Sequence, residues 1–358
     1  MTVQHILQAV DQIAPFRLTM DFDNTGLLVG DPQAEVSGVV LALDCTDDVV
    51  EEAIRRGANL IITHHPVIFK GIKHVQADSI VWKLVLNNIS VISAHTNLDI
   101  AQGGVNDCLA QKLGLSSLRG LTVTNSEPYE KVVAFVPETH YEAVHKAMTA
   151  AGAGTDGNYS GCAFFTHGEG TFLPLEGANP YLGTIGQYEK VKEVRVEMFC
   201  EKSKTAAVVA AMKAAHPYEV PAYDIFEDSG IVHRETLGRV GELSQAVSAG
   251  ELARQVKSAL GGAVRYADGG KKVQTVAVCG GAGDSELESA LACGADALVT
   301  GEAAHHIFIE AAHRGITLIE AGHFHTEAVV LDSVKERLAN QFPEIIFTVW
   351  QESPVLCL

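Results

Sequence analysis

The sequence predicts an α/β fold of two pseudo-symmetric lobes with largely parallel sheets, plus an inserted ferredoxin-like α+β domain. Three observations carry this: an internal repeat, strands that alternate with helices over short Gly turns, and a central stretch that breaks the pattern. The repeat pairs "EAIRRGANLIITHHP", Glu52 to Pro66, with "SALACGADALVTGEA", Ser289 to Ala303; each reads as a helix end, a Gly-Ala turn, an apolar strand closing on Thr, then polar residues. Upstream, "VSGVVLALDCTDDVVEEAI" matches "KVQTVAVCGGAGDSELESAL" as strand, turn, helix. Downstream, "NISVISAHTNLD" matches "GITLIEAGHFHTE", a short strand reaching a His-rich turn in both. Such alternation makes βαβ units, hence parallel sheet covered by helices.

The elements follow in order. "MTVQHILQAVDQIAPF" offers Thr2 as an N-cap and a helical apolar pattern, and lacks the basic start and long apolar core of a signal peptide. The first lobe is assigned residues 1–126. From Glu127 to Glu235 the text changes: "EKVVAFVPETHYEAVHKAMTAAG" reads strand then helix, and "VKEVRVEMFCEKSKTAAVVAAMKAAHPYEVPAYDIF" reads strand, helix, strand, with a Gly-rich hairpin piece between. Two β-α-β-like halves of this kind define the ferredoxin-like insert, residues 127–235, and residues 236–358 complete the second lobe.

A chain of 358 residues exceeds what one core usually serves. Its 47% hydrophobic and 20% charged residues are ordinary for a soluble enzyme, and no apolar run approaches the roughly 20 residues of a membrane span. Cys45, Cys108, Cys162, Cys200, Cys279, Cys293 and Cys357 show no CxxC spacing and make an odd total. Reduced thiols in a cytoplasmic protein are therefore expected, not a zinc ribbon or a disulfide framework. The formal net charge of −18 repels polyphosphate backbones and argues against a nucleic-acid partner.

In parallel sheets the ligand crevice lies beyond the carboxyl ends of the strands. The first half delivers His64, His65, His95 and Asp99 to that rim, and the second delivers Glu302, His305, His306, His323 and Glu327. Adjacent strand residues face opposite ways, so His64 and His65 can share a site only if the strand stops, and Pro66 provides the stop. Gly322 can open a helix that sets His323 and Glu327 on one face and turns His325 elsewhere. His95 and Asp99 also stand four apart, in a segment that reads equally as loop or helix.

Imidazoles and carboxylates without thiolates suit Zn, Fe, Mn or Co. His64, His65, Asp99, His323 and Glu327 are too many for one catalytic ion with an open position. They fit two divalent ions better, about 3.5–4 Å apart, with carboxylates bridging. Such a pair activates water at neutral pH and polarises a carbonyl, imine or phosphoryl oxygen, so hydrolysis is the natural chemistry. His95, Glu302, His305 and His306 are candidates for proton transfer or substrate contact. "CGGAGD", Cys279 to Asp284, lacks both GxGxxG spacing and a Walker lysine and reads as a tight turn; Asp23 and Asn24 in "DFDNTGLLVG" could orient substrate, with ordinary turn chemistry the favoured reading. His216 and Glu219 read as structural, and Cys45 as a buried small hydrophobe.

"THHP", "HTNLD" followed by "GGVND", "DNTGLLVG" and "GHFHTE" occur in an order that resembles the GTP cyclohydrolase I type 2 homologues, also called NGG-interacting-factor-three-like proteins. The resemblance spans residues 1–126 and 236–358 and implies two joined α/β lobes, a dinuclear metal site between them and a toroidal homohexamer. Carried over by motif, its metal ligands fall on His64, His65, Asp99, His323 and Glu327. "HPYEVPAYDI", His216 to Ile225, is similar to the motif of the CutA copper-tolerance family, which implies an insert that caps the ring or restricts entry. The expected function is a metal-dependent hydrolase acting on a small nucleotide-like or heterocyclic substrate. The alternative is a non-catalytic, metal-holding or regulatory ring-shaped assembly.

Overall fold

The computed structural model describes residues 1–355, the side chains of 231–233 excepted; Cys357 lies outside the described residues. The chain divides into a unit made of Met1–Thr124 with Glu235–Leu358, and a second made of Asn125–Arg234.

In the first unit, α1 (Val3–Ile13) starts at its N-cap Thr2 and buries Val3, Ile6, Val10 and Ile13, the spacing of one helical face. Then come β1 (Gly26–Val29), β2 (Val39–Ala42), α2 (Asp47–Arg56), β3 (Leu60–Thr63), α3 (Ile80–Leu86), β4 (Ser90–Ser93), α4 (Thr96–Ile100), α5 (Val105–Lys112) and the start of β5 (Ser116–Pro137). Every residue of β2, β3 and β4 is buried, as parallel strands covered on both faces require; β2 and β3 read as apolar runs for that reason, whereas β4 places Ser90 and Ser93 at its two ends. Helix α2 is capped by the Thr46 side chain, which accepts from Val49 N, and carries Asp47 and Asp48 in its first turn.

The second unit completes β5 and adds α6 (Tyr141–Ala150), β6 (Phe164–Phe172), β7 (Glu189–Glu201), α7 (Thr205–Ala215) and the start of β8 (Tyr223–Val247). Its strand order, β6-β7-β5-β8, with β5 and β6 antiparallel to β7, is the ferredoxin-like arrangement of a βαββαβ chain. Val132, Ala134, Val194 and Val196 pack with Val144, Met148, Val208 and Met212 of the two helices to form its core.

Back in the first unit, β8 ends and α8 (Ala249–Leu260), β9 (Arg265–Ala267), β10 (Val273–Cys279), α9 (Leu287–Ala292), β11 (Ala297–Thr300), α10 (His305–Arg314), β12 (Thr317–Glu320), α11 (His323–Glu327), α12 (Leu331–Gln341) and β13 (Phe347–Val349) follow. Two sheets share one plan. One runs β1-β4-β3-β2-β13, the other β9-β12-β11-β10-β8. In each, three consecutive strands are parallel and an antiparallel edge strand lies beside the last of them. The plan breaks at the far edge, where β13 is parallel to β2 but β8 is antiparallel to β10.

The lobes also exchange helices. After β4 the chain enters α5, whose Leu109 and Ala110 join the second lobe's core with Val276 and Val278. After β12 it reaches α12, whose Leu331, Val334 and Leu338 join the first lobe's core with Val3, Ile6 and Val10, and β13 then pairs with β2. Each buried Leu is worth about 1.5–3 kcal/mol, so the exchange holds the lobes together by core packing. The turns after β4 and β12 are thus the points where the chain crosses between lobes. Those are the His-rich turns. Among the described residues no helix is long and apolar enough to cross a membrane.

Candidate metal centre

Beyond Thr63 the backbone stays in register for two residues, with His64 N donating to Ala42 O and His65 N to Leu43 O at 2.9 Å, before Pro66 ends the strand. The two rings nevertheless converge, with centroids 5.1 Å apart. His64 is fully buried and donates Nδ1–H to Ala94 O at 2.9 Å, which aims Nε2 at Asp99 Oδ1 (3.5 Å) and Glu327 Oε1 (3.7 Å). His65 Nε2 lies 3.0 Å from Glu327 Oε2, and His323 Nε2 lies 3.1 Å from the same oxygen. Helix α11, opened by Gly322, therefore presents His323 and Glu327 on one face toward the histidines of the other lobe.

The outer nitrogen of each ring has a partner of its own. His65 Nδ1 donates to Asp44 Oδ1 at 2.7 Å, His95 Nδ1 to Asp23 Oδ1 at 2.9 Å, and His323 Nδ1 faces Glu302 Oε1 at 3.3 Å. Asp23 also accepts from Thr96 N (3.1 Å) and Thr96 Oγ1 (2.6 Å). Carboxylates and carbonyls behind imidazoles fix ring orientation and raise ligand basicity, which is how metal-binding histidines are supported. The inner nitrogens are left to the centre.

Three groups of ligating atoms among the described residues are close enough to hold an ion: His64, His65 and His95; His65, His323 and Glu327; and His64, Asp99 and Glu327. His64 Nε2 and Asp99 Oδ1 are buried without a hydrogen-bond partner. Unpaired buried polar atoms cost about 1–3 kcal/mol each, and a cation between these two would satisfy both. The donor set fits a divalent metal.

The electrostatics agree. Burial opposes charge on His65, but its hydrogen bonds to Asp44 and Glu327 outweigh it and lift its pKa to about 10. Burial, with Glu327 adding to it against the pull of His64, raises Asp99 to about 6. Glu327 is also buried, yet the His64 charge and hydrogen bonds from the histidines hold it well below the usual carboxylate range. The pocket attracts positive charge strongly.

Its floor is the "CGGAGD" turn. Gly281 N donates to Thr326 Oγ1 at 3.1 Å and Gly283 N to Thr300 Oγ1 at 2.9 Å, so these N–H groups serve the turn and not a phosphate. Gly281 has φ +64°, and a Cβ there would collide with Glu327 Oε1. Gly281→Ala is expected to displace that carboxylate and to weaken zinc affinity about 10–100-fold, as losing a ligand's support does. Competition with a chromophoric chelator measures this; unchanged affinity would show that Glu327 is not a ligand.

The structure brings His64, His65, His95, Asp99, His323 and Glu327 together, with Glu302 bonded behind His323. His95 caps α4, the helix that carries Asp99. His305 and His306 open α10 on the exposed surface, and among the described residues neither bonds to the cluster. His325 packs against Gly262 on another side of α11. Asp44 and Asn106 were not singled out by sequence reasoning. Asp44 ends the strand-and-turn of β2 at the rim, the same signal that marked His64; Asn106 joins the halves by donating Nδ2–H to Asp99 O (2.9 Å) and accepting from Gly280 N (2.9 Å).

Paired lobes that swap helices, with imidazoles and carboxylates gathered where they cross, define an α/β protein with a candidate metal centre. A family model described as Duf34/NIF3 (NGG1p interacting factor 3) matches residues 1–354, and the chain belongs to that family. It is 39% identical over 341 residues to a GTP cyclohydrolase 1 type 2 homolog of Halalkalibacterium halodurans, covering 94% of this chain and 91% of that protein. A protein of the same name in Bacillus subtilis is 38% identical over 343 residues, covering 94% and 92%. The crystal structure of a Bacillus cereus protein related to NIF3 superposes with a TM-score of 0.85 at 37% identity, over 100% of this chain and 99% of that one.

Proposed function

We propose that the protein is a metal-dependent hydrolase that holds two divalent ions, Zn, Fe or Mn, and acts on a small nucleotide-like or heterocyclic substrate within a homohexamer. The observation that carries this reading is the division of Glu327 between two ligand groups: Oε1 faces His64, which also faces Asp99, whereas Oε2 faces His65 and His323. His64 with Asp99 would hold one ion and His65 with His323 the other, with Glu327 common to both. Ions so held would supply an activated water and a Lewis acid toward an oxygen or nitrogen of the substrate.

The chain's own residues supply the rest. His95, oriented by Asp23, stands with its ring 5.1 Å from that of His64 and 5.5 Å from that of His65, and is placed to give a proton to a leaving atom. We assign that role to His95 over His305 and His306, which lie on the exposed turn of α10. Glu302 and Asp44 position ligands. Phe69 packs edge-on to His95 at 6.2 Å and is exposed, as is Phe22 beside Asp23; aromatic faces at a rim suit a planar heterocycle. The insert, 127–235, contributes none of the residues assigned to this chemistry.

Elemental analysis of gently purified protein should find about two ions per chain, and the double variant His64→Ala, Glu327→Gln should lose them while remaining a folded oligomer. Full metal content in that variant would sink the assignment. The loaded protein should hydrolyse at least one member of a panel of nucleotides, cyclic amides and phosphoesters, with the variant inactive. Metal-loaded protein without turnover would favour the metal-holding, regulatory alternative.

A further inference from the structure

We infer that the second unit binds a small organic cation, an amine or guanidinium compound, in a cleft between the β6–β7 loop and the segment after α7. The cleft measures about 640 Å³, within the range that holds small organic ligands, and is independent of the metal chemistry. Its aromatic walls are Phe172, Tyr181 and Tyr218, with ring centroids 5.9 Å apart for Phe172 and Tyr218 and 6.4 Å for Tyr181 and Tyr218.

Tyr218 is fixed in place by the "HPYE" segment. Buried His216 accepts from Tyr218 N at Nδ1 (3.0 Å) and donates Nε2–H to Phe135 O (2.9 Å), so both ring nitrogens are committed. The Tyr218 hydroxyl then donates to Glu193 Oε1 at 3.0 Å. Glu193 reaches this position by passing over Gly170, where a Cβ would collide with Oε2. That second oxygen has no protein partner among the described residues.

The charge balance selects the ligand. Of the ionised groups lining the cleft, Arg195 is paired with Glu197 at 3.2 Å and Glu169 with Lys190 at 2.5 Å. Among the described residues Glu193 and Glu219 have no cationic partner, although Glu219 Oε2 accepts from Asn179 N at 3.1 Å. Two unneutralised carboxylates beside aromatic faces favour a cation that can donate to Glu193 Oε2 and lie against Tyr181 or Tyr218. A compact metal ion would use the carboxylate charge alone, whereas an organic cation uses both the charge and the aromatic walls.

Isothermal titration of the full-length, metal-loaded protein with agmatine and choline, with N-butylurea as the uncharged control, tests this. Agmatine should bind and N-butylurea should not. Glu193→Gln should weaken agmatine about tenfold and Tyr181→Ala about threefold, both with unchanged metal content and circular dichroism. Tyr181 lies on an exposed loop, so its truncation leaves folding intact. No cation binding at millimolar concentration, or equal binding by N-butylurea, would overturn the inference. So would cleft variants that change oligomeric state while leaving agmatine affinity unaltered, which would make the cleft an interface between copies.

Discussion

Stripped of divalent ions by a chelator, the protein should lose thermal stability as pH rises from about 6.5 toward 10, whereas the loaded protein should hold its midpoint over the same range. The cause is the proton balance of the cluster. His65 has both ring nitrogens against acceptors, Asp44 at 2.7 Å and Glu327 at 3.0 Å, and only the doubly protonated ring can donate to both. Its folded pKa, about 10, lies above its ordinary 6.5. A group raised in this way contributes its full stability below the unfolded value and loses it as pH climbs through the folded one. The loss over this window is on the order of 3 kcal/mol.

The neighbours do not reverse the slope. Glu327 is held below its ordinary range, so its contribution is present above about pH 4.5 and disappears only on acidification. Asp99, raised to about 6, favours the protonated form and adds to the loss between its ordinary value and that pH. An ion bound at His65 would take the place of the Nε2 proton and remove the titration, so metal affinity should itself increase with pH. Differential scanning calorimetry at pH 6, 7.5 and 9 on loaded and stripped protein gives the answer. Equal slopes for both forms would mean that His65 does not lie at a metal site.

Much of this was legible because parallel strands announce themselves. Leu60–Thr63 and Ala297–Thr300 are buried on every side, so their apolar runs stop where the sheet stops, and a histidine next in line must lie at the rim. The i, i+4 pairing of His323 and Glu327 followed from Gly322. What could not be read was anything set by contacts across the repeat. The capture of β13 by the first lobe, the bonds from Asn106 to both Asp99 and Gly280, and the pairing of Asp44 with His65 each join residues far apart in sequence. Local propensity carries no trace of them. His305 and His306 show the reverse failure: they follow just after the segment that aligns with "HHP" in the repeat, but α10 begins there and leaves them on the surface.

Arg239→Met should destabilise the protein by about 3–5 kcal/mol. Arg239 and Asp107 are both buried and bond in a fork, Nε to Oδ1 at 2.6 Å and Nη2 to Oδ2 at 3.1 Å. The guanidinium further donates to Thr236 O and Gly238 O at 2.9 Å and to Ile100 O at 3.2 Å, closing carbonyls at the end of α4. Methionine can fill the space but leaves Asp107 a buried charge that, among the described residues, keeps the hydrogen bond from Gly103 N at 2.6 Å. Much of the cost is that orphaned charge and not the worth of the pair, so Asp107→Leu combined with Arg239→Met should recover a large part of it. Urea titration of the two single variants and the double variant measures both the loss and the coupling. A single-variant loss below about 1 kcal/mol would show the pair to be solvated. Because Asp107 adjoins Asn106, which holds the backbone of Asp99, the single variant should also weaken metal binding, and the double variant should restore it only as far as α5 regains its seat.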